Sequence, residues 1–575
     1  MFSSTWVHPT TWSIGATYAD STEAMWFLGW PPFAITHGQS LAFTNYIDYP
    51  GGVNLMWNGS MFLTGLVLAP LTQLGGFVLA YNVLVTMAVA LSAWTAYLLI
   101  RRYVSSQVAA GVGGMLYGFS PFMTAHSLAH PVLTVAFMSP LLLMLLDEIV
   151  RVQRRRPLVS GFLLGLAATA QLFIGEEVLV ATAVVGLLMI CVVAGLCPDQ
   201  VTSHVKHAVL GLAAAAVAFA VLAAVPIGYQ LFGPQHLLST VQQPNVYVSD
   251  ALGFFIPSRN FLLAPARAGA LAHRFTRNVV EDNSYIGVLL ALLLAFIVVR
   301  YWPRLEVRIA ALGAVLIAIL SMGITIHFLG KVSPIPVFVL GLVFPLLRRY
   351  LPGWPMLFVT FFGWLALSRV PVLDNILPTR LMLHFYLFAG LLVAVWLDDM
   401  RAWQPRLRLF GWLAAAASLA LLVPVLPYPS TSRVVPAFFA GGAVSRIPAG
   451  SIALVIPFAT RGNAEAMTWQ EQAGLRFRMP EGYAIIPDAL PRGVRVNPPS
   501  SATQTQIALA SVGRADPVTD ALRQQILSEL RSWQVQTVII GPMTNEHREV
   551  DFFTSVLGRA PDSVDGVYVW WGVNP

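Results

Sequence analysis

The chain has 575 residues, 57% of them hydrophobic and 11% charged, with a net charge of +7 and a mean hydropathy of +0.69. An average soluble domain is about a quarter charged, so a soluble fold of this length is excluded: the apolar residues outnumber the positions a core can bury. A bilayer, which is itself a solvent for apolar surface, is implied instead, and the basic residues fall in short clusters rather than in a nucleic-acid patch.

Residues 1–60 are rich in Trp, Pro, Gly and polar side chains and show neither the charged n-region nor the apolar h-region of a signal peptide. The run 61–76 is apolar but interrupted by Pro70 and closed by Gly75 and Gly76, and it reads as a re-entrant or interfacial helix. Apolar runs follow at 77–100, 108–122, 132–146, 158–174, 178–196 and 208–232. After a polar gap come 285–299, 309–329, 335–347, 356–367, 381–397 and 409–426. The result is about twelve spans, several of them shorter than the ~20 residues of a straight crossing. Cys191 and Cys197 end one run and, with no second pair, read as buried, inert thiols.

Orientation follows from the basic clusters. Arg101 and Arg102, Arg151 with Arg154 to Arg156, Lys206, Arg300 with Arg304 and Arg308, Arg348 and Arg349, and Arg401 with Arg406 and Arg408 recur at every second junction. Placing all six in the cytoplasm gives one consistent zigzag. The N-terminal segment, the loop 233–284 and the C-terminal segment then lie outside, and a spanning helix upstream of Met1 would reconcile this with the start of the chain. After Pro427 the pattern changes. Segments 451–457 and 535–541 read as buried strands bounded by turn residues, and 516–533 carries Val518, Leu522, Ile526 and Leu530 on one helical face. The fold class is therefore a multi-span α-helical membrane protein with a C-terminal extracytoplasmic α/β domain. Its organisation is a first outer loop at 1–76, a transmembrane domain at 77–428 and the α/β domain at 429–575.

Ionisable residues at a membrane surface are the natural candidates for chemistry, because they are costly there without a role. Asp20 stands where a helix N-cap would, with Glu23 three residues on, as in a capping box. The functional alternative makes Asp20 a catalytic base or metal ligand, with Glu23 on the same face. Asp48, Tyr49, Asn54, Trp57 and Asn58 surround a Pro-Gly-Gly turn. Aromatic faces and amides suit a sugar, while an interfacial loop with belt aromatics is the plainer account. Asn58-Gly59-Ser60 also matches a glycosylation sequon. Glu177, Glu281, Arg369, Arg380 and His384 lie near outer junctions. Arginine there suits a phosphate or pyrophosphate, and an interhelical salt bridge is the alternative for each. Asp147, Glu148, Asp398 and Asp399 read as solvated helix ends. No nucleotide-binding loop, H-E-x-x-H pair or nucleophile elbow is present.

The stretches Asp20 to Trp26, Tyr49 to Asn58, Tyr117 to Pro121, Pro378 to Arg380 and Trp469 to Phe477 resemble actinobacterial members of the GT-C class of membrane glycosyltransferases. The resemblance covers most of the chain in layout. It implies a polyprenyl-phosphate-sugar donor, a glycan, lipid or protein acceptor in the cell envelope, a plasma-membrane location, and no nucleic-acid partner. It also implies Asp20 as catalytic base with Glu23 as the second acid, and Arg380, His384 and Arg369 holding the donor phosphate. Asp48, Tyr49, Asn54, Trp57, Asn58, Glu177 and Glu281 would then contact substrate. Some members of the class bind a divalent metal near the acids, but no residue pattern here demands one. A transporter or flippase of a lipid-linked glycan, or a non-catalytic envelope-assembly scaffold, are the competing readings.

Overall fold

The computed structural model describes residues 1–242, 245–275, 278–341, 375–488, 493–497 and 499–573. The expected span 356–367, residues 342–347 of the run 335–347, and Arg369 lie outside the described residues. The chain divides into two compact units, one made of Met1–Ser4, Leu84–Ala224 and Gln242–Pro429, the other of Thr5–Val83, Val225–Val241 and Ser430–Pro575.

The first unit is helical. Among the described residues of the whole chain, five helices are long and apolar enough to cross a membrane: Phe62–Ile100, Pro157–Ile174, Glu176–Leu196, Thr202–Phe232 and Pro378–Ala402. The last of these is buried almost throughout. Its Gly390 faces Gly113 of the helix Gln107–Gly118, and a Cβ on either glycine would strike the backbone carbonyl of the other. Small residues at such a crossing let two backbones approach closely where no hydrophobic effect drives them together.

Both ends of Pro378–Ala402 carry charge. At one end Asp398 accepts bonds from the backbone N–H groups of Ser105 and Ser106, and Asp399 pairs with Arg304 at 2.8 Å and Tyr301 at 2.7 Å. Arg102 approaches Asp147 and Glu148 at 3.7 and 3.8 Å, and Arg151 binds Asp147 at 2.8 Å. These acids are ion-paired, where the sequence reading took them for merely solvated ends. Arg380 stands at the other end, about 27 Å away at 1.5 Å per helical residue, close to the thickness of a hydrocarbon core.

Three expected runs are differently built. The run 61–76 is helical and continues into the next as Phe62–Ile100, interrupted at Gly76, whose φ of 82° and ψ of 164° kink the axis. The run 309–329 ends its helix at Ser321, and Thr325–Phe328 turns back on Lys331–Pro336 as an antiparallel hairpin. The start of 335–347 is therefore a strand. The two cysteines are unbonded but only half-buried.

The second unit is built around a four-stranded sheet. Ile452–Ile456 runs parallel to Val535–Ile540, which pairs antiparallel with Val567–Trp571, and Asp562–Val564 forms the edge. Alternation sorts the side chains to two faces. Ile452, Leu454, Ile456, Val538 and Ile540 pack with Ile507, Ile526, Leu530, Phe552 and Phe553 from three helices. Ala453, Val455, Ile539, Val567 and Val569 share a core with Trp26, Phe27 and Trp30 of the helix Ala19–Thr36. Residues expected as a first outer loop thus contribute to the same core as the C-terminal sheet.

Gln470 locks that core. Buried, it accepts a bond from the Trp26 indole at 2.8 Å and donates to the carbonyls of Tyr46 and Phe477, each at 2.8 Å. Gln470→Leu removes the partner of the Trp26 indole and of the Phe477 carbonyl in an apolar setting, while the Tyr46 carbonyl keeps the Met479 N–H at 2.9 Å. We expect a loss of about 3 kcal/mol, read as a lowered midpoint in chemical unfolding of the detergent-solubilised protein.

Candidate functional site

Two groups of polar residues stand out, one in each unit. In the sheet-containing unit the helix Ala19–Thr36 begins with Tyr18 as its N-cap, and no side chain caps it. Asp20 lies one residue inside the first turn, so it is not the N-cap of a capping box. Oδ1 of Asp20 instead accepts a hydrogen bond from the Tyr483 hydroxyl at 3.1 Å. Burial, together with the charges of Asp20 and Glu23, raises the Tyr483 phenol, which therefore stays a donor. Burial first and the Asp20 charge second push the Glu23 carboxyl well above the usual carboxylate range.

Arg433 holds the same helix in place. It is buried, its Nε donates to Ser13 at 2.9 Å and one Nη donates to Thr22 at 3.1 Å, while the other Nη has no hydrogen-bond partner. Neither Tyr483 nor Arg433 was singled out from sequence. The available signal for Arg433 was its place as the first charged residue after the last apolar run.

The residues around the Pro-Gly-Gly turn are used inside the protein. Asn54 donates to the carbonyls of Tyr229 and Pro234 at 3.3 and 2.9 Å and accepts from the Met56 N–H. The Trp57 indole donates to the Gln230 carbonyl at 2.7 Å. Asn58 donates to the carbonyls of Asn54 and Ile485 and accepts from the Ile485 N–H at 2.6 Å, and it is buried, which removes it as a glycosylation acceptor. Tyr49 donates to Gln534 at 2.8 Å. Asp48 has a positive φ of 53° and is buried.

In the helical unit, Arg380 binds both Glu177 and Glu281, reaching Oε1 of Glu281 at 2.6 Å through one Nη and 3.2 Å through Nε. The salt-bridge alternative is therefore what the geometry shows for these three residues. Glu281 also approaches His130 Nδ1 at 3.6 Å and His126 Nε2 at 4.0 Å. The Nδ1 atoms of the two histidines are 3.1 Å apart, and Asn283 reaches His126 Nε2 at 3.1 Å. Burial alone would raise the Glu281 carboxyl, but the Arg380 guanidinium outweighs it and holds the carboxyl down at about 2. Burial keeps the His126 imidazole well below its usual range, hence neutral. His126, His130 and Glu281 offer one ligand atom each within 4.8 Å of one another, the group among the described residues suited to a metal ion. Its sequence signal was the four-residue spacing of the histidines. His384, fully buried, is engaged with Ser139 at 2.9 Å and Thr182 at 3.1 Å instead of with this cluster.

A family described as "Domain of unknown function (DUF6311)" has a model that matches residues 5–339. No curated protein matches the chain. Among solved structures it is similar to the arabinofuranosyltransferase AftD from Mycobacteria, at 14% identity and a TM-score of 0.48 over 98% of this chain and 38% of that one. It is similar also to the oligosaccharyltransferase of Archaeoglobus fulgidus, at 12% identity and 0.44, covering 96% and 67%. A third is ArnT from Cupriavidus metallidurans bound to undecaprenyl phosphate, at 10% identity and 0.39, covering 98% and 94%. The chain thus spans well under half the length of the arabinofuranosyltransferase. At these identities and scores the likeness assigns it neither a reaction nor a substrate.

Asp48 supplies a pH test. Burial raises its carboxyl from 3.8 to about 7, partly offset by Arg495. A carboxyl raised on folding adds stability that is complete below the unfolded value and lost as pH rises through the folded one. The thermal midpoint should therefore fall between about pH 4 and about pH 7, and Asp48→Asn should flatten that slope.

Proposed function

We propose that this chain, which belongs to the family of the domain of unknown function DUF6311, is a membrane glycosyltransferase that moves a sugar from a polyprenyl-phosphate donor to a cell-envelope glycan, lipid or protein acceptor. In this reading it is a plasma-membrane protein of about twelve spans with its α/β portion outside, as the alternating basic junctions imply. The observation that carries the reaction is the placement of Asp20: it lies in the first turn of its helix, is hydrogen-bonded by Tyr483 and stands beside a carboxyl that keeps its proton.

The chemistry follows from those groups. Asp20 accepts the proton of the acceptor hydroxyl as its oxygen bonds to the anomeric carbon. The bond from that carbon to the phosphate oxygen breaks, and the polyprenyl phosphate leaves with the electron pair. Tyr483, through its hydroxyl, orients the Asp20 carboxylate for that step. Arg380 is the donor-phosphate residue of this reading. Its single charge is already balanced by Glu177 and Glu281, so phosphate there calls for more positive charge than Arg380 supplies.

The test is transfer from a panel of labelled polyprenyl-phosphate sugars in membranes. Asp20→Asn should lower the rate by about 100-fold or more at unchanged protein level. Tyr483→Phe should lower it on the order of tenfold, the worth of one hydrogen bond to a charged group. Activity retained in Asp20→Asn removes Asp20 from the chemistry, and no transfer from any donor shifts the reading to a transporter or scaffold.

A further inference from the structure

We infer that His126, His130 and Glu281 form a binding site for a divalent transition-metal ion of the zinc type. The argument begins with donor chemistry. Two imidazole nitrogens and one carboxylate oxygen are the ligands preferred by borderline ions such as Zn²⁺ and Co²⁺, whereas Mg²⁺ and Ca²⁺ favour oxygen throughout. Three protein ligands with remaining positions open is the pattern of a zinc site that takes up a further oxygen ligand.

Geometry agrees. Nitrogen ligands about 2.0–2.1 Å from one ion lie roughly 3–3.4 Å apart at tetrahedral or octahedral angles. The two Nδ1 atoms are 3.1 Å apart, and Glu281 Oε1 is 3.6 Å from His130 Nδ1. Local backbone structure produces the pairing: the helix Pro121–His126 ends in a turn in which the His130 N–H bonds the His126 carbonyl at 2.8 Å, bringing the rings to one side. A second layer is in place as well. Arg380 grips Oε1 of Glu281, and Asn283, itself bonded by Thr379 at 2.9 Å, meets Nε2 of His126. Partners of this kind fix the orientation of first-layer ligands.

Charge gives an independent reason. Two carboxylates, Glu177 and Glu281, converge on one guanidinium, and the His126 ring between them and Asn283 is buried. The two carboxylates and the one guanidinium sum to one surplus negative charge beside a buried Glu281, which is costly unless compensated. A divalent ion reverses the sign to a net positive charge. That reversal is what a phosphate oxygen would need at Arg380, a consequence that rests on the transferase reading, although metal binding itself does not.

The experiment uses the full chain in detergent, stripped with a chelator and titrated with Zn²⁺ or Co²⁺. Wild type should hold one ion per chain by elemental analysis, and Co²⁺ should give visible bands without thiolate charge transfer. His130→Ala is the main variant because that ring is partly exposed and caps no helix with its side chain. It should weaken binding on the order of 100-fold, while His37→Ala, at an exposed histidine, should leave it unchanged. Should His130→Ala fold poorly, the wild type still decides: a bound ion raises its thermal midpoint progressively as the free ion concentration exceeds the dissociation constant. No stoichiometric ion in wild type, or equal binding in His130→Ala, overturns the site. Sugar transfer is not read in any arm, so a failed transferase reading leaves a bound metal standing, and an absent metal leaves that reading standing.

Discussion

Arg380 sits near the start of a helix that is buried for almost its entire length, and it does not stand there alone. A guanidinium taken out of water loses several kcal/mol of hydration, which mutual attraction recovers only with close partners and satisfied donors. Glu177 and Glu281 provide both, from a helix start and a short turn far apart in sequence. The same constraint shapes the opposite end of that helix, where Asp398 and Asp399 tie down Ser105, Ser106, Tyr301 and Arg304. Charged layers separated by a hydrocarbon thickness fix where each helix must begin and end, and glycine pairs such as Gly113 and Gly390 settle how closely the helices pack in between.

The sheet-containing unit meets the constraint differently. Few of its buried acids have a basic partner, and they keep their protons instead. Glu23, Asp48, Glu471 and Glu481 are all pushed upward by burial. Glu481 still accepts the Val455 N–H at 2.9 Å with one oxygen, so it serves the sheet as a neutral hydrogen-bonding group. Asp20, partly buried like Glu23 on the same helix, accepts a phenol hydrogen bond from Tyr483.

Much of this was legible in sequence because it is local. Hydropathy marked the long helices, and strand composition marked 451–457 and 535–541, which are strands at Ile452–Ile456 and Val535–Ile540. The helix read over 516–533 is Asp520–Ser532. What could not be read depends on distant pairings. Asp20 looked like a cap because spacing alone cannot show that Tyr18 takes that position and that Tyr483, more than 460 residues on, supplies the partner. Asn54, Trp57 and Asn58 looked like a sugar platform because amides and indoles serve open sites and interior clasps equally well. In the structure their polar atoms bond inward, to Gln230, Pro234 and Ile485. The hairpin after Ser321 was hidden in an apolar run by its own composition, since a short apolar strand and a helix end look alike without periodicity.

The inward use of the Pro-Gly-Gly loop bears on how specificity would arise in the proposed reaction. A loop whose polar atoms are already paired presents few free hydrogen-bonding groups, and breaking those pairs to bind a sugar would cost what the sugar contacts return. Its rigidity has a different value. Asn58 ties the loop to Ile485, two residues beyond Tyr483, and Gln470 ties Trp26 to Tyr46 and Phe477. The first turn of the Asp20 helix and the segment carrying Tyr483 are thereby held to the same framework. Catalysis by a positioned base depends on such fixing, since the benefit of proximity disappears when the reacting groups drift by an ångström. In this view the aromatic and amide residues near the start of the chain contribute to chemistry by holding the acid in place, without themselves touching the substrate.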